Sequence, residues 1–364
     1  MVGPQRNRYF SAFRLAVLLL MSMGGGCASG GLHAPGRAFE FGVVGDAPYT
    51  RQQEKDFPNV IAAMNRADLA FVVHIGDFQA DPREYYRQPQ DIALPCTDET
   101  FNAALGLFQT SKHPFVLTPG DNDWTDCHFV KERKFDPLER LEKLRAMYYS
   151  QERSLGQRTM PVVSQAQDGR YTKFRENLRW SIGGVTFVTL HTVGSNDNFG
   201  RTPEMDAEHA ERIAANVAWM EQAFTTANAD GSLGLVIFTQ ANPGFENHWT
   251  PDLVRRYFRN FVGVKPPIPP EPTAYDHFIE ALADKLDNYN KPTAFIHGDT
   301  HLFRIDKPLI SRMTKRAFEN FTRVETFGNP ATHWTRVVVD PADPQLFTFK
   351  AGIVPENVVN HRKH

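Results

Sequence analysis

Four Gly-Asp pairs stand out because each one directly follows a short apolar run. The pairs are Gly45-Asp46, Gly76-Asp77, Gly120-Asp121 and Gly298-Asp299. The preceding runs, FEFGVV, LAFVVHI, PFVLTP and PTAFIH, have the length and the branched residues of buried β-strands. Ligands of layered α/β proteins bind beyond the carboxyl ends of strands. Four carboxylates at one such edge repel each other unless a cation lies between them, so the pattern predicts a metal site.

The elements that must position these aspartates alternate between strand and helix. Predicted helices cover about 57–67, where Pro58 sets the start, 97 or 98 to 108, 136–149 and 203–226. Gly183-Gly184 predicts an antiparallel hairpin between strands at 171–180 and 185–190. Further predicted strands cover 235–239, 293–296, 337–339 and 346–349. The chain has no GxGxxG motif and no P-loop. We therefore expect two sheets, one from each half of the chain, with helices outside, rather than one Rossmann sheet.

Composition and charge limit the class of protein. Hydrophobic residues make up 41% and charged residues 23% of the 364 residues, which is typical of a soluble globular protein. The formal net charge is -2, whereas a standing nucleic-acid partner requires a basic surplus. We predict a single domain over residues 38–354.

The first 29 residues predict an export signal. Arginines precede the run LAVLLLMSM at 15–23, which is too short to span a bilayer, and the small residues GGGCASGG follow it. A disordered tail is the alternative. Cys27 resembles the lipidated cysteine of a bacterial lipoprotein, although Gly24 stands where that motif has Leu, so simple cleavage nearby is the other possibility. The expected location is the periplasm or a lipid anchor in the cell envelope.

Two cysteines, Cys96 and Cys127, remain once the signal is removed. An even pair in an exported chain favours a disulfide, and this one would staple the loop that carries Asp121. A zinc site is disfavoured because the chain has no CxxC pair.

The order and spacing of these motifs resemble the calcineurin-like metallophosphoesterase superfamily. Its pattern is D-x-H, GD, GN-H-D/E, a lone His and GHxH. The corresponding segments here are Asp46-Ala47-Pro48, Gly76-Asp77, Gly120-Asp121-Asn122-Asp123, Gln240 and Gly298-Asp299-Thr300-His301. The segments GDAPY and PGDNDWTDC are similar to those of a divergent bacterial branch. The resemblance implies a four-layer αββα sandwich with two mixed β-sheets.

The departures from the family pattern change the chemistry of the implied metal shell. The usual imidazoles or amide are replaced at five positions: Pro48, Asp121, Asn122, Gln240 and Asp299. Three of the replacements, Asp121, Gln240 and Asp299, still carry oxygen donors. Only His301 remains among the imidazoles. Such an oxygen-rich shell favours Mn²⁺, Mg²⁺ or Ca²⁺ over Zn²⁺.

The resemblance also implies roles for the ligands and a reaction. Asp77 would bridge two divalent ions. Asp46 and His301 would complete one site, and the other would hold Asp121, Gln240 and Asp299. A metal-bridging hydroxide would then hydrolyse a phosphomonoester or phosphodiester of a small substrate.

The position of the leaving-group acid also departs from this pattern. The superfamily uses a His held by the following acid, and here those positions are Asn122 and Asp123. Because an amide cannot donate a proton that way, either the leaving group is already a weak base or another residue acts, with His191 and His248 as candidates. Ser195, together with the amides of Asn122, Asn196 and Asn242, is a candidate for contacting the substrate.

Two other functions stay open at this point. One is a metal- or ligand-binding envelope protein that has lost catalysis. The other is a different metallohydrolase chemistry on the same scaffold.

Overall fold

The computed structural model describes residues 36–131, 133–247 and 273–359. The predicted signal at 1–29, Cys27 and His248 lie outside the described residues. Within these ranges, no helix is both long and apolar enough to cross a membrane.

The first sheet has five strands among the described residues, in the order β12-β11-β1-β2-β3. They are β1 (Phe39–Val44), β2 (Val72–His74), β3 (Phe115–Leu117), β11 (Trp334–Val339) and β12 (Phe347–Gly352). Strands β1, β2 and β3 run parallel, while β11 pairs antiparallel with both β1 and β12. The carboxyl ends of β1 to β3 therefore meet at one edge, which carries the first three Gly-Asp pairs.

The second sheet has seven strands among the described residues, in the order β4-β5-β6-β7-β8-β10-β9. They are β4 (Val163–Ser164), β5 (Leu178–Ile182), β6 (Val185–Thr189), β7 (Gly234–Phe238), β8 (Thr293–His297), β9 (Arg304–Asp306) and β10 (Phe321–Glu325). Strands β6, β7, β8 and β10 are parallel, so Gln240 after β7 and Asp299 after β8 lie at a common edge.

Apart from a one-turn segment at Gly194–Asp197 with left-handed backbone, six α-helices of the described residues flank these sheets. They are α1 (Arg51–Arg66), α2 (Pro82–Arg87), α3 (Asp98–Phe108), α4 (Pro137–Tyr148), α5 (Pro203–Ala229) and α6 (Asp276–Leu286). The predicted start of α1 at Pro58 is wrong. Thr50 and Gln53 form a capping box that starts the helix at Arg51, and Pro58 lies inside it.

The core between the two sheets is aromatic. The ring of Phe41 on β1 lies 5.5 Å from that of Phe187 on β6 and 5.9 Å from that of Phe238 on β7. Residues of α1, α3 and α4 belong to the same core, whereas α5 and α6 pack in a second core on the other face of the second sheet. This order of layers confirms the predicted αββα sandwich.

Two details of the predicted topology are wrong. The last strands, β11 and β12, join the first sheet rather than the second, because β11 pairs with the free edge of β1. The hairpin at Gly183-Gly184 is present, but its first strand begins only at Leu178. The residues directly before Leu178 form a loop, which carries Glu176.

A buried ion-pair network connects the first helical layer to the second sheet. Arg145 of α4 donates from Nε and Nη2 to the Glu176 carboxylate at 3.0 and 2.6 Å, and His191 Nδ1 lies 2.7 Å from Glu176 Oε1. All three side chains are buried. Burial acts to raise the pKa of Glu176, but Arg145 and His191 outweigh it and hold that pKa well below its usual range.

We predict that Glu176→Gln lowers the free energy of unfolding by about 3–5 kcal/mol, because it removes the buried carboxylate beside Arg145 and leaves only the exposed Glu142 to pair with that charge. Urea denaturation measures the change. The control is Glu211→Gln, which removes the exposed ion pair with Lys173 and should cost less than about 1 kcal/mol. Equal losses in the two variants would contradict the role given to the network.

Candidate functional site

The structure brings the four predicted aspartates together at the facing edges of the two sheets. Gln240 Nε2 lies 3.1 Å from Asp77 Oδ2, 3.1 Å from Asp121 Oδ1 and 3.5 Å from Asp299 Oδ1. The Asp299 backbone N–H donates to both carboxylate oxygens of Asp46, at 3.2 and 3.1 Å. One amide and one peptide group therefore connect all four carboxylates.

The backbone at these positions adopts an uncommon conformation. Asp46, Asp77, Asp299 and His301 have φ values of 50°, 55°, 78° and 62°. The left-handed backbone conformation costs a residue with a Cβ roughly 1–2 kcal/mol. Such residues cluster at functional sites, where surrounding contacts hold them in place.

Glycines let the chain approach the carboxylates closely. A Cβ on Gly298 would lie 2.0 Å from Asp46 Oδ2. One on Gly194 would lie 2.5 Å from Asp299 Oδ1 and 2.7 Å from Asp121 Oδ2. The backbone thus forms a cradle around the carboxylates that any side chain at these two positions would fill.

The electrostatics of the cluster are those of an unneutralised acidic site. Burial and the neighbouring aspartates raise the pKa values of Asp46 and Asp77 well above their usual range. Burial raises the pKa values of Asp121 and Asp299 to about 6. Within the described ranges, no lysine or arginine forms an ion pair with any of these four side chains. His301 Nε2 lies 3.8 Å from Asp46 Oδ1.

The donor set fits a hard divalent cation in charge and in atom type. The four carboxylates supply the oxygen ligands that Mn²⁺, Mg²⁺ and Ca²⁺ prefer, and among the described residues one imidazole is the only nitrogen ligand beside them. No three His, Cys, Asp or Glu side chains of residues 36–131, 133–247 and 273–359 already form a group that could hold a metal ion. Gln240 lies between the carboxylates. Its NH₂ group faces three of them, while its Oε1 accepts from the Gly194 N–H at 2.6 Å.

Asp123 holds the site loops by their backbones. Its carboxylate accepts from the N–H groups of Asp77, Phe78 and Gly120 at 2.9, 3.0 and 2.8 Å. Burial raises its pKa to about 7, although these three donors act to lower it. Asp123 therefore joins the loop after β2 to the loop after β3.

Asn122 is directed towards Tyr49, which sequence reasoning missed. The Asn122 amide donates to Tyr49 Oη at 3.1 Å and to the Gln79 carbonyl at 3.2 Å. Tyr49 Oη in turn donates to Asp77 Oδ2 at 3.1 Å and lies 3.4 Å from His301 Nε2. The only signal for Tyr49 in the sequence was its place in the GDAPY segment that follows β1.

His191 is hydrogen-bonded to Glu176 rather than to the cluster. It is fully buried, bonded to Glu176, and its ring lies 5.4 Å from that of Trp124. In the described part of the chain, no hydrogen bond or ion pair joins it to the four aspartates. A catalytic role for His191 stays a prediction.

The other predicted substrate contacts differ in their positions. The Asn242 N–H donates to Asp299 Oδ2 at 3.1 Å, so Asn242 borders the cluster. Asn196 Oδ1 instead accepts from the Ala274 N–H at 3.2 Å.

Ser195 connects the cluster to another acid that the sequence did not indicate. Its hydroxyl donates to Asp121 Oδ2 at 2.8 Å and lies 3.1 Å from Asp126 Oδ2. Asp126 is buried and also pairs with Arg83 at 3.0 Å. Ser195 begins a turn in which residues 195–198 all have positive φ values.

The predicted disulfide between Cys96 and Cys127 is confirmed, with a Cα–Cα distance of 5.7 Å. Gln79 lies against it, accepting from the Cys96 N–H at 2.8 Å and donating to the Asn122 carbonyl at 2.7 Å. The bridge thus supports the loop that carries Asp121 and Asn122.

Comparison with known proteins supports the same architecture. The sequence matches no family model and no curated protein sequence. The structure is similar to that of PhoD, with 14% identity, a TM-score of 0.51, and coverage of 85% of this chain and 65% of that one. It is also similar to a dimetal phosphatase from Danio rerio, with 12% identity, a TM-score of 0.50, and coverage of 87% and 96%. The chain has the calcineurin-like metallophosphoesterase fold. The metallophosphoesterase fold expected from the motifs is therefore confirmed. The chain spans about two thirds of the length of the PhoD structure.

The raised pKa of Asp299 predicts a pH-dependent effect of Asp299→Asn. The Asp299 carboxyl has a pKa of 3.8 in the unfolded chain and about 6 in the fold. Its contribution to the free energy of unfolding therefore falls as the pH rises through this window. Asparagine does not titrate. The free energy of unfolding of the variant, relative to the unmodified protein, should therefore rise by on the order of 2–3 kcal/mol between pH 4 and pH 7. Urea denaturation in chelator gives this difference, and a difference independent of pH would contradict the prediction.

Gly194→Ala tests whether the cradle matters for cation binding. The new Cβ would displace the carboxylates of Asp121 and Asp299. We expect Mn²⁺ affinity, measured by calorimetry, to fall at least about tenfold. Gly169→Ala is the matched control, because no atom lies within 4 Å of its added Cβ. Equal affinity in the two variants would show that the site does not need this close approach.

Proposed function

We propose that this chain is an exported, metal-dependent phosphoesterase that hydrolyses a phosphomonoester or phosphodiester of a small substrate. The observation that carries the proposal is the convergence of four buried aspartates from two sheets around Gln240, with no lysine or arginine of the described residues paired to them. Such a cluster is stable in its ionised form only with bound cations. Export is supported by the N-terminal sequence, which lies outside the described residues.

The residues that would hold the ions are the four aspartates and His301, with Gln240 as the sixth ligand once its Oε1 is released from the Gly194 N–H. We propose two divalent ions, by analogy with the dimetal phosphatase of the same fold. The oxygen-rich donor set favours Mn²⁺, Mg²⁺ or Ca²⁺ over Zn²⁺. When bound, such ions neutralise the carboxylates, attract the phosphoryl oxygens and lower the pKa of water.

The protein's own groups position this centre. Gln240 and Ser195 orient Asp121, Tyr49 and the Asn122 N–H orient Asp77, and Asp123 fixes the two loops that carry them. Asn122 cannot release a proton as the superfamily's His would. The site is therefore suited to esters whose leaving group is a weak base.

The proposal predicts metal-dependent turnover that requires Asp77. Chelator-treated protein, reloaded in turn with Mn²⁺, Mg²⁺, Ca²⁺, Zn²⁺ and Fe²⁺, is assayed on aryl phosphate monoesters and diesters. We expect a hard cation to restore turnover, and Asp77→Asn to lower kcat/KM at least about 100-fold. Asp230→Asn, at the exposed end of α5, is the matched control and should retain activity. Failure of every metal to restore turnover would favour a binding protein that has lost catalysis.

A further inference from the structure

A cavity of about 360 Å³ borders two of the loops that carry the carboxylate cluster. Its walls come from α1, α3 and the two loops that directly follow Asp46 and Asp77. Its volume falls in the range of small-molecule sites. The same two loops thus shape both the cluster and the cavity.

The surface that the cavity offers is apolar. Phe78, Ala80, Ala104 and Phe108 line it and are buried, and Leu107 adds a further aliphatic side chain. Two polar side chains in the wall, those of Thr100 and Gln79, are already bonded within the protein. The Thr100 hydroxyl donates to the Leu94 carbonyl, and the Gln79 amide is bonded to Asn122 and Cys96.

The charge of the cavity excludes a second anionic group. None of its described lining residues is Lys or Arg, and the one charged side chain is the carboxylate of Glu54. A second phosphate would therefore meet an acid without a compensating cation. The cavity is suited to an uncharged organic group.

Tyr49 connects the cavity to the cluster. Its ring lines the cavity, and its hydroxyl donates to Asp77 Oδ2 at 3.1 Å. A phosphoryl group bound at Asp77 would therefore be separated from the cavity by about the length of the Tyr49 side chain.

We propose that this cavity binds the apolar organic group of the phosphate ester, so that the substrate class is an aryl or alkyl-aryl phosphate without a second charge. This assignment rests on the proposed phosphoesterase function. Ala103, an exposed residue of α3 on the cavity wall, gives a variant that fills the space, Ala103→Phe. Its matched control is Asn102→Phe, exposed on the same helix but outside the cavity lining.

The first experiment does not depend on activity. 4-Fluorophenol is titrated into the purified chain and followed by fluorine NMR. We expect saturable binding to the unmodified protein and to Asn102→Phe, with affinity at least about tenfold weaker for Ala103→Phe. Absence of binding to the unmodified protein, or equal binding to all three, would overturn the proposal.

The second experiment assigns the cavity to the ester. Phenyl, 4-methylphenyl, 4-ethylphenyl and 4-propylphenyl phosphate have leaving groups of similar basicity but increasing apolar size. We expect kcat/KM to rise roughly fourfold per added carbon in the unmodified protein and in Asn102→Phe, and to lose this dependence in Ala103→Phe. Turnover with no dependence on size would overturn the assignment. Absence of turnover on every ester would instead reject the proposed function, and the NMR titration would still decide whether the cavity binds an aryl group.

Discussion

The mutual repulsion of four buried carboxylates is the constraint on which the rest of the site depends. Asp46, Asp77, Asp121 and Asp299 share one small volume, and burial raises the pKa of each. A fold keeps such groups together only if their chemistry requires it, because uncharged side chains would pack there at lower cost. A bound cation turns this repulsion into attraction. The repulsion that disfavours the cluster without metal is therefore also what suits it to hold divalent ions.

The fold meets this constraint with backbone geometry rather than with counter-charges. Parallel strands in two sheets direct their carboxyl ends towards each other, and Asp46, Asp77 and Asp299 have left-handed backbone conformations where the chain turns beyond these ends. Gln240 links three carboxylates, and Asp123 ties together two of the loops through three peptide N–H groups. The Cys96–Cys127 bridge stabilises one of these loops from outside. Rigid support of this kind preorganises ligands before a metal or substrate arrives.

Local patterns predicted the parts of the site that depend on local structure. A buried run followed by Gly-Asp marks a strand and the turn after it, so the four aspartates and their common edge were predictable. Contacts between distant residues were not. Tyr49 reaches Asp77 and His301 across 28 and 252 residues, and no spacing rule connects them. The pairing of β11 with β1 is equally non-local, and α1 starts earlier than predicted because the capping box at Thr50, rather than a proline, sets its boundary.

Anomalous diffraction from crystals of the protein soaked in Mn²⁺ tests the central claim most directly, because it locates the ion without requiring turnover. We predict manganese within coordinating distance of Asp77, in contact with carboxylates from both sheets, and a Gln240 side chain that has moved from between them. Crystals with no anomalous peak among the four aspartates, and with Gln240 still bonded to three of them, would contradict a metal centre at this site.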